Sequence, residues 1–174
     1  MPPNPPSVGK ALDLRDAMAF LGDLETRARD LRPFFAGRVS PDMTALLVEQ
    51  FESQGSRMRR GHGWRQLAPS TIRSKTKRGT AGNGILVDSG AMRRAFVDPH
   101  DPDAVEILNQ QRYIRSVSGE AHRIAGYHQT GTRRMPARPV MGDGIPEPIK
   151  RQWMAALQTY ITTGVIEPGG SPAP

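Results

Sequence analysis

The chain has 174 residues, the length of one domain, and 37% of them are hydrophobic while only 6% are aromatic. Lysine and arginine number 24 against 17 acids, so the net charge is +7 and partners with negative charge, nucleic acid or acidic protein surfaces, are favoured. The absence of cysteine excludes disulfides, thiolate nucleophiles and cysteine-ligated metal sites.

Proline-rich stretches at both ends predict arms without secondary structure, over residues 1–9 and 165–174. Such arms are expected to be disordered when they are free in solution. Residues 10–164 are expected to form one domain. Neither a secretory signal nor an apolar run of bilayer length is visible, so we expect synthesis in the cytoplasm and no membrane contact.

Two helices are predicted in the first third of the domain. Apolar residues recur at spacings of three and four over residues 13–35, which indicates one long amphipathic helix whose stripe could pack on its own subunit or on a neighbour. A second helix is predicted to begin at Ser40 as N-cap, with Pro41 in its first turn and Asp42 near its positive end. Gly55 is its predicted stop.

A basic loop of about residues 55–84 follows. No acid occurs between residues 54 and 87. Its glycines predict irregular, mobile backbone around a short helix near residues 68–75, with Trp64, Leu67 and Ile72 as anchors in the core. The eight basic residues of this stretch are Arg57, Arg59, Arg60, Arg65, Arg73, Lys75, Lys77 and Arg78.

The second half of the chain predicts a small hairpin among short helices. Residues 88–90 supply an acid and a hydroxyl that can cap a short helix over 91–96. Alternating apolar and polar residues at 104–108 and 113–117 predict two antiparallel strands. Further helices are predicted at 120–128 and 145–163. The fold class is therefore α+β, a single domain with several helices around a small antiparallel sheet.

Between the last two helices, residues 131–144 predict an extended basic arm. A glycine and two prolines within 131–139 forbid a continuous helix, and methionine and valine side chains supply apolar anchors between those breaks. Arg133, Arg134 and Arg138 alternate with these anchors, and the arm holds no acid up to residue 142.

Searches for catalytic chemistry give weak candidates only. The four histidines lack the spacing of metal ligands on one helix face, so no metal and no other cofactor is expected. Ser89, in Asp-Ser-Gly, lacks the first glycine of a nucleophile elbow because Val87 stands there. Residues 79–84 lack the Gly-Lys-Ser/Thr ending of a phosphate loop. A hydrolase that uses Ser89 or His128 is therefore the lowest-ranked reading.

Nonspecific binding of DNA stays open at this point. Clustered arginines near Trp64 can hold phosphates while a base stacks, although no helix-turn-helix, ribonucleoprotein or zinc motif is present. Acidic neighbouring subunits would meet the same charges. The candidate contacts to DNA or an acidic partner are Arg57, Arg59, Arg60, Arg65, Lys75, Lys77, Arg78, Arg133 and Arg134.

Several spaced anchors carry a family resemblance. They are Phe51 with Gln54-Gly55, Trp64-x-x-Leu67, Thr71, Lys75, Ile85-Leu86 with Ser89-Gly90, Tyr127-His128-Gln129-x-Gly131 and Met135-Pro136-Ala137-Arg138-Pro139. Over roughly residues 40 to 160 this series resembles the phage virion morphogenesis family, the tail-completion or neck proteins of long-tailed phages. His-Gln-x-Gly followed by Met-Pro-Ala-Arg-Pro is its most specific part.

The resemblance implies a virion component without enzymatic activity, which forms a ring at the head-tail junction around the passing genome. A hexamer is the first expectation and a dodecamer the alternative, with connector or adaptor proteins and tail-tube or terminator proteins as neighbours. A free, nonspecific DNA-binding accessory protein of phage assembly is the alternative function. Arg138, between Ala137 and Pro139, is interpreted as a structural or intersubunit hydrogen-bonding group, which leaves Arg133 and Arg134 for a partner. The residues expected to serve as interface or structural motif are Trp64, Leu67, Ser89, Gly90, Tyr127, His128, Gln129, Gly131, Met135, Pro136, Arg138 and Pro139.

Overall fold

The computed structural model describes residues 13–58, 63–142 and 144–169. The predicted N-terminal arm, Arg59, Arg60, His62 and the last five residues of the predicted C-terminal arm lie outside these ranges. The helices in chain order are α1 (Leu14–Arg29), α2 (Arg32–Phe34), a π-helical turn (Phe35–Val39), α3 (Ser40–Glu52), α4 (Pro69–Lys77), α5 (Ala91–Val97), α6 (Gly119–Thr130) and α7 (Glu147–Thr163). The strands are β1 (Ala104–Leu108) and β2 (Tyr113–Val117).

Helix α3 is the centre of the core. Met43, Leu46, Leu47 and Phe51 form its buried face, as its apolar spacing predicts. Helix α5 packs against α3 on one side and against α6 and the β-hairpin on the other. Helix α7 joins the core through Tyr160, whose ring stacks on Phe34. The predicted single α+β domain is thereby confirmed.

The hairpin follows its sequence pattern closely. Strands β1 and β2 pair antiparallel from Ala104 opposite Val117 to Leu108 opposite Tyr113, over the predicted residues. The connection includes residue 112, because the Asn109 N–H donates to the Arg112 carbonyl at 3.0 Å. Helix α6 and helix α7 likewise agree with the prediction to within two residues at each end.

The prediction of one helix over residues 13–35 was wrong. Helix α1 ends at Arg29, and Asp30 adopts an extended conformation while its carboxylate accepts the Arg32 N–H at 3.1 Å. Pro33 then stands in the first turn of a new helix, where its missing N–H costs nothing. The chain therefore turns at Asp30, and α1 is separated from the helix that enters the core.

The α-helix predicted from Ser40 is present as α3, but the prediction that Ser40 is its N-cap was wrong, since the chain is helical without a break from Arg32 to Glu52. Pro41 has no N–H for the carbonyl four residues earlier, and the π turn absorbs this defect: the Ser40 N–H donates to Phe35, five residues back. The Gly37 carbonyl left over accepts the Gly169 N–H at 3.2 Å. Asp42 lies in the first turn of α3, as predicted, but it is buried and accepts from Arg38 Nε at 2.9 Å and Trp153 Nε1 at 2.7 Å.

The described part of the predicted C-terminal arm is packed on its own chain. Residues 165–169 have no helix or strand, as predicted, but they run along the π turn. A Cβ on Gly37 would approach Ile166 Cγ2 to 2.9 Å, and Arg38 donates to the Pro168 carbonyl at 3.3 Å. The gap that Pro41 opens in the helix is thus the binding place of this segment.

A half-buried polar network links the same helix to the hairpin. Glu106 on β1 accepts hydrogen bonds from the Ser40 hydroxyl at 2.6 Å and the Tyr113 hydroxyl at 3.0 Å. Burial and the Glu106 carboxylate raise the pKa of Tyr113 well above its usual range. Ser40 therefore holds the hairpin against the π turn, which is the role its hydroxyl has in place of helix capping.

Candidate functional site

The segment of residues 131–142 forms a short turn followed by an extended run. Gly131 has φ +75°, and a Cβ there would lie 2.7 Å from the Ala137 nitrogen, so only glycine allows the chain to fold back on itself. Thr132 and Met135 pair across the turn, which leaves Arg133 and Arg134 at its exposed tip. The predicted extended arm is therefore a fixed turn beside helix α6.

Buried hydrogen bonds hold the extended run against the body of the protein. The Arg138 side chain is buried and donates to the backbone carbonyls of Arg65 at 2.7 Å and Gln66 at 3.0 Å. The backbone N–H of Arg138 donates to the backbone carbonyl of His128 at 2.7 Å. The Trp64 indole donates to the Pro139 carbonyl at 2.9 Å. Arg138 thus joins three stretches of one chain and is not exposed for a partner.

Gln50 makes a comparable link that sequence reasoning missed. Its fully buried amide donates to the Val140 carbonyl at 3.0 Å and accepts the Met58 N–H at 2.9 Å. A glutamine inside a helix gives no sequence signal for this role, since most glutamines are exposed. The contact fixes the end of the segment on α3.

Trp64 and Gly55 form the second half of this anchor. The Trp64 ring lies edge-on to Phe51, with ring centres 5.6 Å apart, and its backbone N–H donates to the Gln54 carbonyl at 2.6 Å. Helix α3 ends at Glu52 with Ser53 as its C-cap, shortly before the predicted stop at Gly55, and Gln54 and Gly55 then have positive φ, +51° and +91°. A Cβ on Gly55 would stand 2.4 Å from the Trp64 ring. The backbone at Gln54 and Gly55 therefore passes so close to the Trp64 indole that residue 55 has no room for a side chain.

An open cleft of about 840 Å³ lies between α4, α5, α6 and the turn at 132–135. Its floor is apolar and its edge is basic, with Asp88 as its acid. Half of the residues that carry the resemblance meet here although they are distant in sequence. The predicted site residues that line it are Arg65, Leu67, Lys75, Arg78, Ser89, Gly90, His128, Arg133, Arg134, Met135, Pro136 and Arg138.

Other predicted residues lie elsewhere. Tyr127 and Gln129 are exposed on α6, with the Arg123 guanidinium 5.9 Å from the centre of the Tyr127 ring. Lys77 is exposed on α4 outside the cleft, and Arg57 lies 2.6 Å from Glu49 in an ion pair. Trp64, Gly131 and Pro139 do not line the cleft. They hold the segment 131–142 in place through the indole hydrogen bond and the tight turn at Gly131. Ile72, expected as a core anchor, is 49% exposed.

The prediction that Lys75 is available for a contact to DNA or an acidic partner was wrong. The side chain is buried, and its ammonium donates to the carbonyls of Asn83, Gly84 and Val87 at 2.9–3.0 Å. Gln54 reaches the same loop by accepting the Ile85 N–H at 2.7 Å. The irregular backbone predicted for 79–84 is confirmed, but these bonds hold it in place and argue against the predicted mobility.

The predicted cap of helix α5 also differs. The N-cap is Gly90, with φ +82° and no side-chain cap bond. Asp88 turns instead to Thr80 and Arg78, and accepting those bonds lowers the pKa of its carboxyl. Ser89 is exposed, and its Oγ accepts the Ala91 N–H at 3.4 Å. Across the described ranges no group of three or more histidine and acidic residues could hold a metal ion.

The charge at the cleft edge is uneven. Arg78 is paired with Asp88 at 2.9 Å, whereas Arg65, Arg133 and Arg134 are exposed and form no ion pair within residues 13–58, 63–142 and 144–169. The edge therefore presents three arginines above an apolar floor. Met92 and Ile124 belong to that floor and carried no site signal in the sequence, because an apolar residue on a helix reads as core.

His128 is half-buried in the cleft wall, and its Nδ1 is buried with no hydrogen-bond partner in the described part of the chain. Burial, and secondly the Arg138 guanidinium, lower the pKa of His128 below its ordinary value. The imidazole is therefore neutral at neutral pH, which suits a contact with an apolar or hydrogen-bonding surface.

We expect this histidine to make the fold sensitive to mild acid. Because the pKa is lower in the folded state, the unfolded chain binds a proton first, and stability falls as pH drops from about 7 through the ordinary histidine range near 6.5. His128→Gln should flatten the dependence of the unfolding free energy on pH between about 7 and 5. His122→Gln, which changes an exposed histidine on the same helix, is the control. Equal slopes in both variants would contradict the assignment.

Helix α1 carries the other conspicuous surface. Ala17 and Leu24 are half-buried, and α1 packs on α7, where Arg27 donates to the Ile161 carbonyl at 3.0 Å. None of its residues is buried. The large apolar side chains that it exposes are Leu14, Met18, Phe20 and Leu21.

Comparison with known protein families identifies the family of this chain. A family model described as the phage virion morphogenesis family matches residues 12–148, which include α1, the cleft and the segment 131–142. No curated protein and no solved structure matches the chain. No described helix is long and apolar enough to span a membrane.

Proposed function

Because the chain belongs to the phage virion morphogenesis family, whose role is the assembly of the virion, we propose that it is a structural protein that forms a ring at the head-tail junction. In this position it joins the tail to the capsid connector around the DNA channel, as a tail-completion, neck or terminator protein. It is made in the host cytoplasm and carries out no catalysis. Its neighbours are connector or adaptor proteins on one side and tail-tube or terminator proteins on the other.

The observation that carries the assembly role is the exposed face of α1. Leu14, Met18 and Leu21 lie along one side of the helix and are 61–74% exposed, and no described element covers them. A contiguous apolar patch of this kind on a soluble chain usually marks a protein contact. A ring subunit has such a surface by necessity, because each copy must bind two neighbours.

Rigid anchoring of the segment 131–142 supports the same role. Arg138, Trp64 and Gln50 fix this segment without a regular secondary structure, so its exposed turn keeps one shape before any partner arrives. A surface that is ordered in advance loses less entropy on docking. Arg133 and Arg134, exposed at the tip, suit the genomic DNA in the channel or an acidic neighbouring protein.

Native mass spectrometry of the purified chain and electron microscopy of complete particles test this function together. We expect a closed oligomer, six subunits first and twelve as the alternative, and density for the chain between capsid and tail. Particles made without the protein should accumulate as separate heads and tails. A chain that stays monomeric and is absent from mature particles would refute the structural role. If that monomer also binds DNA with an affinity that falls steeply with salt, the DNA-binding accessory function holds instead.

A further inference from the structure

Two unoccupied surfaces of this chain match each other. Leu14, Met18 and Leu21 lie at positions i, i+4 and i+7 of α1, so they form one stripe roughly 10 Å long. Helices that dock in grooves use this spacing of anchors. The stripe borders the flank of α1 that packs on α7, where Ala17 and Leu24 are half-buried, but Leu14, Met18 and Leu21 themselves are 61–74% exposed.

The cleft offers a floor of the chemistry that this stripe requires. Its volume, about 840 Å³, is at the upper end of the range for sites that enclose a ligand, and it is open on one side. The apolar side chains along it are Leu67, Leu86, Val87, Met92, Ile124 and Met135. None of the residues that line the cleft belongs to α1 or α7, so stripe and cleft occupy different parts of one subunit.

Charge supports the same pairing. Glu25 continues the stripe four residues after Leu21, and it is exposed, with Arg29 of the same helix as its ion-pair partner at 2.6 Å. An exposed pair of this kind contributes little and exchanges readily. Arg65, Arg133 and Arg134 lie at the cleft edge and form no ion pair with any described acid, since Asp88 is paired with Arg78. The stripe of α1 is therefore apolar with an acid at one end, and the cleft is apolar with arginines at its edge, so the two surfaces are complementary in polarity and in charge.

We propose that α1 of one subunit docks in the cleft of the next copy of this chain, with Leu14, Met18 and Leu21 on the floor and Glu25 at the arginine edge. This inference rests on the proposed ring function and names its interface. Since each subunit has one stripe and one cleft, the contact is head-to-tail, and repetition around an axis closes a ring. The same contact would cover the accessible part of the half-buried His128 and the apolar stripe of α1.

Cysteine cross-linking tests the contact directly, because the chain has no cysteine of its own. Particles are assembled with the double variant Met18→Cys and Met135→Cys and are then mildly oxidised. We expect a ladder of covalent multimers of this chain up to the ring. The control joins Met135→Cys with Met154→Cys, since Met154 on α7 is 65% exposed and Met18 66%. No ladder should form in the control.

Variants of the same residues give a second, independent readout. Met18→Glu should weaken self-association at least about tenfold, and Met154→Glu should leave it unchanged. Glu25→Arg and Arg134→Glu should each weaken association, and their combination should restore it to within a few fold. Circular dichroism of each variant checks the fold, which should persist because all four side chains are exposed.

The possible results distinguish failure of the α1–cleft interface from failure of the proposed ring function. A ring that still forms with Met18→Glu and gives no ladder overturns the proposed interface and leaves the ring function standing. A cross-link from Met18→Cys to a different virion protein also overturns it, in favour of a heterologous partner. A wild-type chain that is absent from particles and monomeric in solution refutes the ring function and the interface with it.

Discussion

Lys75→Met should lower the free energy of unfolding by about 3–5 kcal/mol, the largest loss we expect from a substitution outside the apolar core. The ammonium of Lys75 fills a cage of three backbone carbonyls, and methionine has no donor for any of them. Each buried acceptor left unpaired costs about 1–3 kcal/mol, and water entering the loop recovers part of this. The loop 83–87 should then separate from helix α4, and the cleft should lose one wall.

Lys77→Met is the matched control for this change. It removes the same charge from the same helix two residues later, where the side chain is exposed. Surface substitutions of this kind stay within about 0.5 kcal/mol. Urea denaturation of both variants, with hydrogen exchange of the amides in 80–90, measures the difference. Two variants of equal stability would show that the three hydrogen bonds contribute nothing net.

Gly55→Ala should cost about 3 kcal/mol or more, although it adds a single methyl group. Part of the loss is the left-handed backbone, which at φ +91° disfavours any side chain by roughly 1–2 kcal/mol. The larger part is displacement of the Trp64 ring, because the new Cβ would stand 2.4 Å from it. Moving that ring breaks the indole bond to Pro139 and its packing on Phe51.

Gly79→Ala separates these two contributions. Gly79 also has a left-handed backbone, φ +72°, but nothing lies within 4 Å of its added Cβ. This variant should lose at most about 1 kcal/mol, since alanine also restricts the unfolded chain. Near-ultraviolet circular dichroism should report a changed tryptophan environment for Gly55→Ala alone. Equal losses in the two variants would mean that Trp64 adapts without cost.

Local patterns predicted the elements whose partners lie nearby in the chain. The alternation in 104–108 and 113–117 identified both strands, because a short hairpin needs only its own residues to set its register. The face of α7 that carries Ile149 and Tyr160 followed from helical spacing, since any core would bury it. The predicted helix around residues 68–75 was located correctly for the same reason.

Distant partners account for the errors. Pro41 predicts the first turn of a helix, but the sequence does not show that a π turn precedes it or that the freed Gly37 carbonyl accepts the Gly169 N–H, more than a hundred residues later. Lys75 reads as a surface cation because its sequence does not show that the loop 83–87 folds back over it. For the candidate site, the resemblance gave the motif residues, but the cleft depends on the packing of α4, α5 and α6, which no spacing encodes.

Several irregular parts of this protein are held through hydrogen bonds from long polar side chains to their backbone carbonyls. Lys75 holds the carbonyl of Asn83, Arg138 those of Arg65 and Gln66, and Gln50 that of Val140. A carbonyl is the same whatever residue carries it. The exposed positions held in this way, Asn83, Arg65 and Gln66, can therefore change identity during evolution while the loops keep their course, and a phage can change the charge and chemistry at its cleft without rebuilding the core. The long polar side chains that hold them have no such freedom.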